Sequence, residues 1–206
     1  MAHGWQTHKG VRTFCQGNEL MLCGPSCVVM AIKWVTDDEF DAKSISSTGR
    51  QKSMPLKFNP ANINNPAMVR VMPSLSSDDY GSLSGMGPDE VRASLIDHSL
   101  SANIAYPGGA GVFTYSELRN ALNKANKSTP VIIQLNSPSH FVICRERAKG
   151  IFGGKNKYSI ADPADGRMHT GAHVSGNKII FSSYNSTIQS IISVTGKITQ
   201  SRVRVF

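Results

Sequence analysis

The second half of the chain carries three short apolar runs with period-two character, and their closeness constrains the fold more than any other feature. They are Val131-Ile132-Ile133-Gln134-Leu135, His140-Phe141-Val142-Ile143-Cys144-Arg145 and Lys157-Tyr158-Ser159-Ile160-Ala161. Turn formers separate them: Asn136-Ser137-Pro138-Ser139 after the first, and Gly150, Gly153 and Gly154 between the second and third. Such runs bounded by turn chemistry predict adjacent antiparallel strands. Further on, residues 178–181 and 202–206 read as strands, and residues 186–194 fit either a short helix or a strand.

Upstream the period is helical. Val28, Val29, Ile32 and Val35 set a buried, central helix over residues 23–35, closed by Asp37-Asp38-Glu39. Gly87-Pro88-Asp89-Glu90 starts a second helix over residues 88–98, with proline in a tolerated first-turn position and acids where the helix dipole favours them. Thr114 or Ser116 caps a third, whose stripe runs through Leu118, Ala121, Leu122 and Ala125 until Lys127-Ser128-Thr129-Pro130 ends it. Between the first two lie residues 44–87, a long irregular insertion broken by Met54-Pro55, Asn59-Pro60 and Asn65-Pro66, with only residues 68–72 resembling a strand. A loop of that length is functional or mobile. Helices first and sheet afterwards make the fold class α+β, and 206 residues fit a single domain spanning 1–206.

Composition narrows the function. With 40% hydrophobic and 17% charged residues the chain is globular rather than disordered. Lys and Arg outnumber Asp and Glu by 22 to 14, a net charge of +8. The basic residues are scattered, and no aromatic-basic signature or helix-turn-helix pattern accompanies them, which argues against nucleic acid and for an acidic partner or a solvated basic surface. No signal-peptide core and no apolar stretch of membrane-spanning length occurs, so the expectation is a cytoplasmic protein with no membrane partner. Four cysteines, Cys15, Cys23, Cys27 and Cys144, are too few for a disulfide scaffold and read as free thiols. Their spacings match neither common zinc sites nor the C-x-x-C of redox proteins. His169 and His173 stand four apart across Gly171 without the pattern of a zinc protease, so neither a metal nor another cofactor is expected. His3, His8 and His98 read as surface residues.

The chemistry concentrates on a few positions. Cys23 begins Cys23-Gly24-Pro25-Ser26-Cys27, at the start of the first helix, where unsatisfied backbone N-H groups favour an anion and a thiol ionises readily. A thiol nucleophile needs a base, and the base an orienting partner. His140 opens one strand, directly after a turn; Asp162 ends the next, with Pro163 stopping it. Paired antiparallel, the two strands bring Asp162 beside His140, which leaves the second ring nitrogen for the proton of Cys23. Asp165, in Ala164-Asp165-Gly166-Arg167, reads as part of the following turn. The backbone N-H of Cys23 and a side-chain amide just upstream, Gln16 in preference to Asn18, would hold an oxyanion.

The stretch from Gln16 to Ile32, the pair Pro130 to Leu135 with Ser139 to Ile143, and Tyr158 to Gly166 together resemble the papain-like cysteine peptidases of the bacteriocin-processing, double-glycine type. The resemblance covers roughly residues 14–34 and 114–167, with the cysteine near the N-terminus and the His and Asp far downstream. It implies a papain-like fold, an N-terminal helical lobe carrying the nucleophile on its central helix and a C-terminal antiparallel sheet lobe. It also implies Cys23, His140 and Asp162 as a triad, with Gln16 in the oxyanion hole. Gln16 lies seven residues before Cys23, against the family's usual six, and residues 44–87 match nothing in the family. In papain the second cysteine of a similar string is the nucleophile; here Gly24-Pro25 after Cys23 favours the first, and Cys27 and Cys144 are expected to pack inward.

The expected function is therefore hydrolysis of peptide bonds in a protein substrate by a cysteine peptidase. Charge and analogy extend this to an interbacterial toxin or effector, delivered into a target cell by a dedicated apparatus and restrained by an acidic inhibitor or immunity protein. The same three residues serve glutamine deamidases and transglutaminases. From other classes, an inactive basic binding module or a nucleic-acid-binding protein remains open.

Overall fold

A computed structural model describes residues 2–18, 22–45, 86–109, 111–148 and 157–198. Residues 46–85 of the insertion expected over 44–87, the glycines at 150, 153 and 154 and the strand expected at 202–206 lie outside the described residues. The chain opens with a hairpin, β1 (Gly4–His8) and β2 (Val11–Cys15), and then enters α1 (Cys23–Thr36). There follow α2 (Pro88–Asp97), β3 (Leu100–Ala105) and α3 (Tyr115–Asn123). Six strands complete it: β4 (Val131–Leu135), β5 (His140–Ala148), β6 (Lys157–Asp162), β7 (Arg167–Ser175), β8 (Lys178–Phe181) and β9 (Tyr184–Lys197).

All three helices stand where apolar periodicity and capping placed them. Thr114 caps α3 by accepting from the Glu117 backbone N-H, and Glu117 returns a bond to the Thr114 N-H. The strands β4, β5 and β6 pair antiparallel in sequence order, as the three apolar runs required. The undecided segment 186–194 lies within β9, a strand of 14 residues. Ser186, Ile188, Ser190, Ile192 and Val194 are buried at every second position, the period of a pleated strand.

The expected architecture is corrected. The fold is not a papain-like α+β arrangement of a helical lobe beside a separate sheet lobe. Strand residues outnumber helical ones among the described residues, and one seven-stranded antiparallel sheet runs in the order β3-β9-β4-β5-β6-β7-β8, with β8 also pairing β9. That last pairing closes six strands, β4 to β9, into a barrel, with β3 attached outside it to β9. The physical reason is the length of β9. Its first residues form a tight hairpin with β8, Phe181 opposite Tyr184, while its later ones pair with β4 on one side and β3 on the other. A register shift at Gln134/Leu135 accommodates the change in direction.

The sheet separates two cores. On the inner face Val131, Ile133, Leu135, Val142, Cys144, Tyr158 and Ile160 pack with Leu118 and Leu122 of α3. On the outer face Ile132, Phe141, Ile143 and Ala161 pack against α1, whose residues from Gly24 to Ile32 are all buried. The N-terminal hairpin lies against α1 and the turn between β6 and β7: Thr13 Oγ1 donates to the Gly166 carbonyl at 2.6 Å, and the Gln16 N-H donates to that of Pro163 at 2.8 Å. Gly166 has φ +64°. A Cβ at that position would run into the Gln6 amide and Cys15, so only glycine lets the hairpin seat there.

Candidate active site

Three elements meet at one end of the barrel. β4 and β5 pair Leu135 with His140, so His140 is the first residue of its strand, and the preceding turn is fastened by bonds from the Asn136 N-H to the Thr187 carbonyl and from the Ser137 N-H to Ser186 Oγ. β5 and β6 pair Ile143 with Ala161. Continuing that register sets Asp162 opposite Val142, diagonal to His140 on the same face, within the reach of long side chains. The result is a hydrogen bond of 2.7 Å between His140 Nε2 and Asp162 Oδ1, with both residues buried. A carboxylate only accepts, so Nε2 carries the proton. Asp162 also accepts from the Ala164 N-H at 2.9 Å, a local turn that holds the carboxylate in place.

The third element is the start of α1. Phe141, next to His140, lies on the sheet face that α1 covers, and a Cβ on Gly24 would stand 3.5 Å from its ring. Helix and strand are thus in contact where the thiol and the imidazole lie. Cys23 is half-buried, and the His140 ring and the backbone N-H groups of Phe141 and Gly24 act on its sulfur in the sense that stabilises a thiolate. With Nε2 engaged by Asp162, the nitrogen facing sulfur is Nδ1. No acidic residue occupies the first turn of α1, and its N-cap, Leu22, supplies no side-chain cap, so nothing there competes with the sulfur for the helix's positive end.

The protonation states follow from this arrangement. Burial pushes the Cys23 thiol up, but the bonds from His140 and the two backbone donors outweigh it, and the net shift is downward. Burial would lower His140, yet Asp162 and Cys23 raise it to about 9. Both shifts are in the sense that favours a thiolate beside an imidazolium. Cys27 and Cys144, both wholly buried, are driven up by loss of solvent, as their inward packing implied.

Tyr184 escaped the sequence reading. Its ring stacks on His140, centroids 5.7 Å apart and planes 11° from parallel, and on Phe181 at 4.9 Å. Burial first, and then the Asp162 carboxylate, push its hydroxyl up to about 12, so it stays a neutral lid on the imidazole. An aromatic residue beside a Ser-Ser turn carries no local signal of such a place; only the β8–β9 hairpin brings it there. Gln16 follows β2 directly. Its backbone is tied to Pro163, the residue after Asp162, while its Oε1 is buried without a hydrogen-bond partner among the described residues. Asp165 pairs with His169 at 3.2 Å rather than with His140.

Asp162, Asp165 and His169 place one ligand atom each within 4.8 Å of one another. Two carboxylates and an imidazole could take a divalent ion, but here Asp162 is engaged by His140 and Ala164, and Asp165 by His169 and the Arg167 N-H. His8 is half-buried rather than a plain surface residue, its Nδ1 accepting from the Met168 N-H.

No protein-family model matches the chain, and no curated protein matches it. Among solved structures, a double glycine motif protease from an AMS/PCAT transporter, crystallised with its leader peptide, is similar: 17% identity, 94% of this chain and 96% of that one covered, TM-score 0.41. So distant a likeness leaves the argument to the site itself. No helix among the described residues is long and apolar enough to cross a membrane.

Proposed function

We propose that this chain is a cysteine peptidase in which Cys23 is the nucleophile, His140 its acid-base partner, Asp162 the positioning carboxylate and Gln16 an oxyanion donor. The observation that carries the reading is the 2.7 Å bond between His140 Nε2 and Asp162 Oδ1 beside the half-buried Cys23, whose thiol His140 shifts down while the imidazole is shifted up. Attack of the thiolate on a peptide carbonyl forms the carbon–sulfur bond, and the negative charge passes to the carbonyl oxygen. Collapse breaks the carbon–nitrogen bond as imidazolium gives its proton to the leaving amine. Neutral His140 then takes a proton from water, which hydrolyses the thioester and returns the thiolate–imidazolium pair.

The oxygen needs donors. The Cys23 N-H belongs to the first turn of α1 and has no partner within the helix. The Gln16 amide ends in a buried atom with no partner among the described residues; turned about its last bond, it would offer N-H instead of oxygen. A toxin or effector role with an acidic inhibitor has only the net charge of +8 in its support.

Proteome digestion tests the core of the reading. The wild-type chain, added to a cell extract, should create new protein termini that the Cys23→Ala chain does not create. Conversion of glutamine to glutamate without cleavage would replace peptidase by deamidase, and termini that persist with Cys23→Ala would remove the nucleophile from the scheme.

A further inference from the structure

Beside the site, on the far side of the Tyr184–Phe181 stack, lies an open cleft of about 550 Å³. Lys9 and Arg167 line it, together with His8, His169 and His173, and none of the lining residues is acidic. Lys9 reaches only a neutral partner, Thr170 Oγ1 at 3.3 Å, and neither Lys9 nor Arg167 has an ion-pair partner among the described residues. This contrasts with Arg12 and Lys33, both paired with Glu39 on another part of the surface. Of the two carboxylates near it, Asp165 is engaged by His169, and Asp162 by His140 and the Ala164 N-H. Two unpaired cations over a concave surface focus potential and favour an anionic ligand.

The cleft is attached to the proposed chemistry by two routes. His169, in its wall, belongs to the cluster with Asp162. Phe181, also in its wall, stacks on Tyr184, which stacks on His140. The two ring separations put the cleft on the order of 10 Å from the imidazole, about three residues of extended peptide at roughly 3.3 Å each. We propose that this cleft is a specificity subsite for the carboxylate side chain of a Glu or Asp about three residues from the scissile bond. The proposal rests on the peptidase reading and adds to it the class of substrate, an acidic peptide segment. A guanidinium suits a carboxylate by its paired N-H groups, and Lys9 supplies a second, mobile charge.

The test uses matched peptides built on a cleavage site found in the extract, with Glu or Gln at each position on either side of the scissile bond. The wild-type chain should prefer Glu by about fivefold in kcat/KM at one position near the third residue, and the preference should fade as salt rises. In the Lys9→Gln/Arg167→Gln chain the Glu-to-Gln ratio should fall toward one; both residues are exposed, and the wild-type ratio alone already decides the matter should that variant fail to fold. Equal cleavage of every Glu and Gln pair by the wild type would overturn the subsite while leaving the peptidase intact. If nothing is cleaved, the peptidase reading fails. Anisotropy of a labelled Glu-rich peptide on the intact chain then judges the cleft alone: binding lost in the double variant supports an anion site, and absence of binding overturns it.

Discussion

Two successive turns of α1 each hold a thiol, and the pair separates the effect of burial from the effect of donors. Cys27 is wholly enclosed among Phe14, Val28 and Met30, and burial drives its proton affinity up, with the charges of Cys23 and Asp162 adding to the rise. Cys23 also suffers burial, yet its affinity moves down, because His140 and the N-H groups of Phe141 and Gly24 reach its sulfur. The helix's own field helps only in its first turn. What distinguishes a reactive sulfur from an inert one on this helix is therefore the set of donors on one side of it, and all but the Gly24 N-H come from a strand more than a hundred residues away.

The largest expected effect is on alkylation. At neutral pH Cys23 should react with iodoacetamide faster than Cys27 by on the order of a thousandfold, read by mass spectrometry of the folded chain. Comparable labelling of the two would break the contrast. His140→Ala should then slow Cys23 toward the rate of an ordinary thiol, which isolates the part played by the imidazole.

Next comes pH. The thiolate–imidazolium pair exists between the lowered thiol value and the raised imidazole value of about 9. Above about 9, kcat/KM should fall by about tenfold per unit as His140 loses its proton. The same shift acts on stability. A group raised on folding contributes in full below its unfolded value, ~6.5 for histidine, and the contribution disappears as pH passes through about 9. A descending limb near pH 7 instead would show that Asp162 does not hold the proton on His140.

The smallest effect belongs to the inert thiol. Cys27→Ala leaves a cavity in a filled core and should cost about 1 to 2 kcal/mol in denaturant unfolding, while the labelling rate of Cys23 remains close to that of the wild type. A large loss of Cys23 reactivity in that variant would mean that the second turn matters for the first.

Much of the site could be read from residue order. His140 and Asp162 stand at the ends of strongly apolar runs, where a polar residue next to a turn announces a strand terminus, and antiparallel pairing of neighbours does the rest. The barrel could not be read in that way. Its closure depends on β9 bonding to β8, β4 and β3 in different parts of its length, which no local window contains. The hairpin β1–β2 was missed because Gly4-Trp5-Gln6-Thr7-His8 is short and carries no clean alternation; all but Thr7 are half-buried. β7 is similar, with Gly171 interrupting it and its buried residues, Met168 and Ala172, four apart rather than alternating. Where the helices were concerned, caps and stripes sufficed, but their grouping into a lobe did not follow, since β3 between α2 and α3 joins the sheet through β9.

The docking of Gln6, Thr13 and Gln16 on the turn after Asp162 has a consequence for biosynthesis. Gln6, Thr13 and Gln16 leave a ribosome long before their partners Asp165, Gly166 and Pro163 do. Closing so long a loop is entropically costly and slow compared with local pairing. A nascent chain can thus form α1 with Cys23 in place and still lack the clamp on the Asp162 turn. Synthesis itself delays the complete set of contacts, so Cys23 keeps the surroundings of an ordinary thiol until translation has passed the turn that holds Asp162 beside His140.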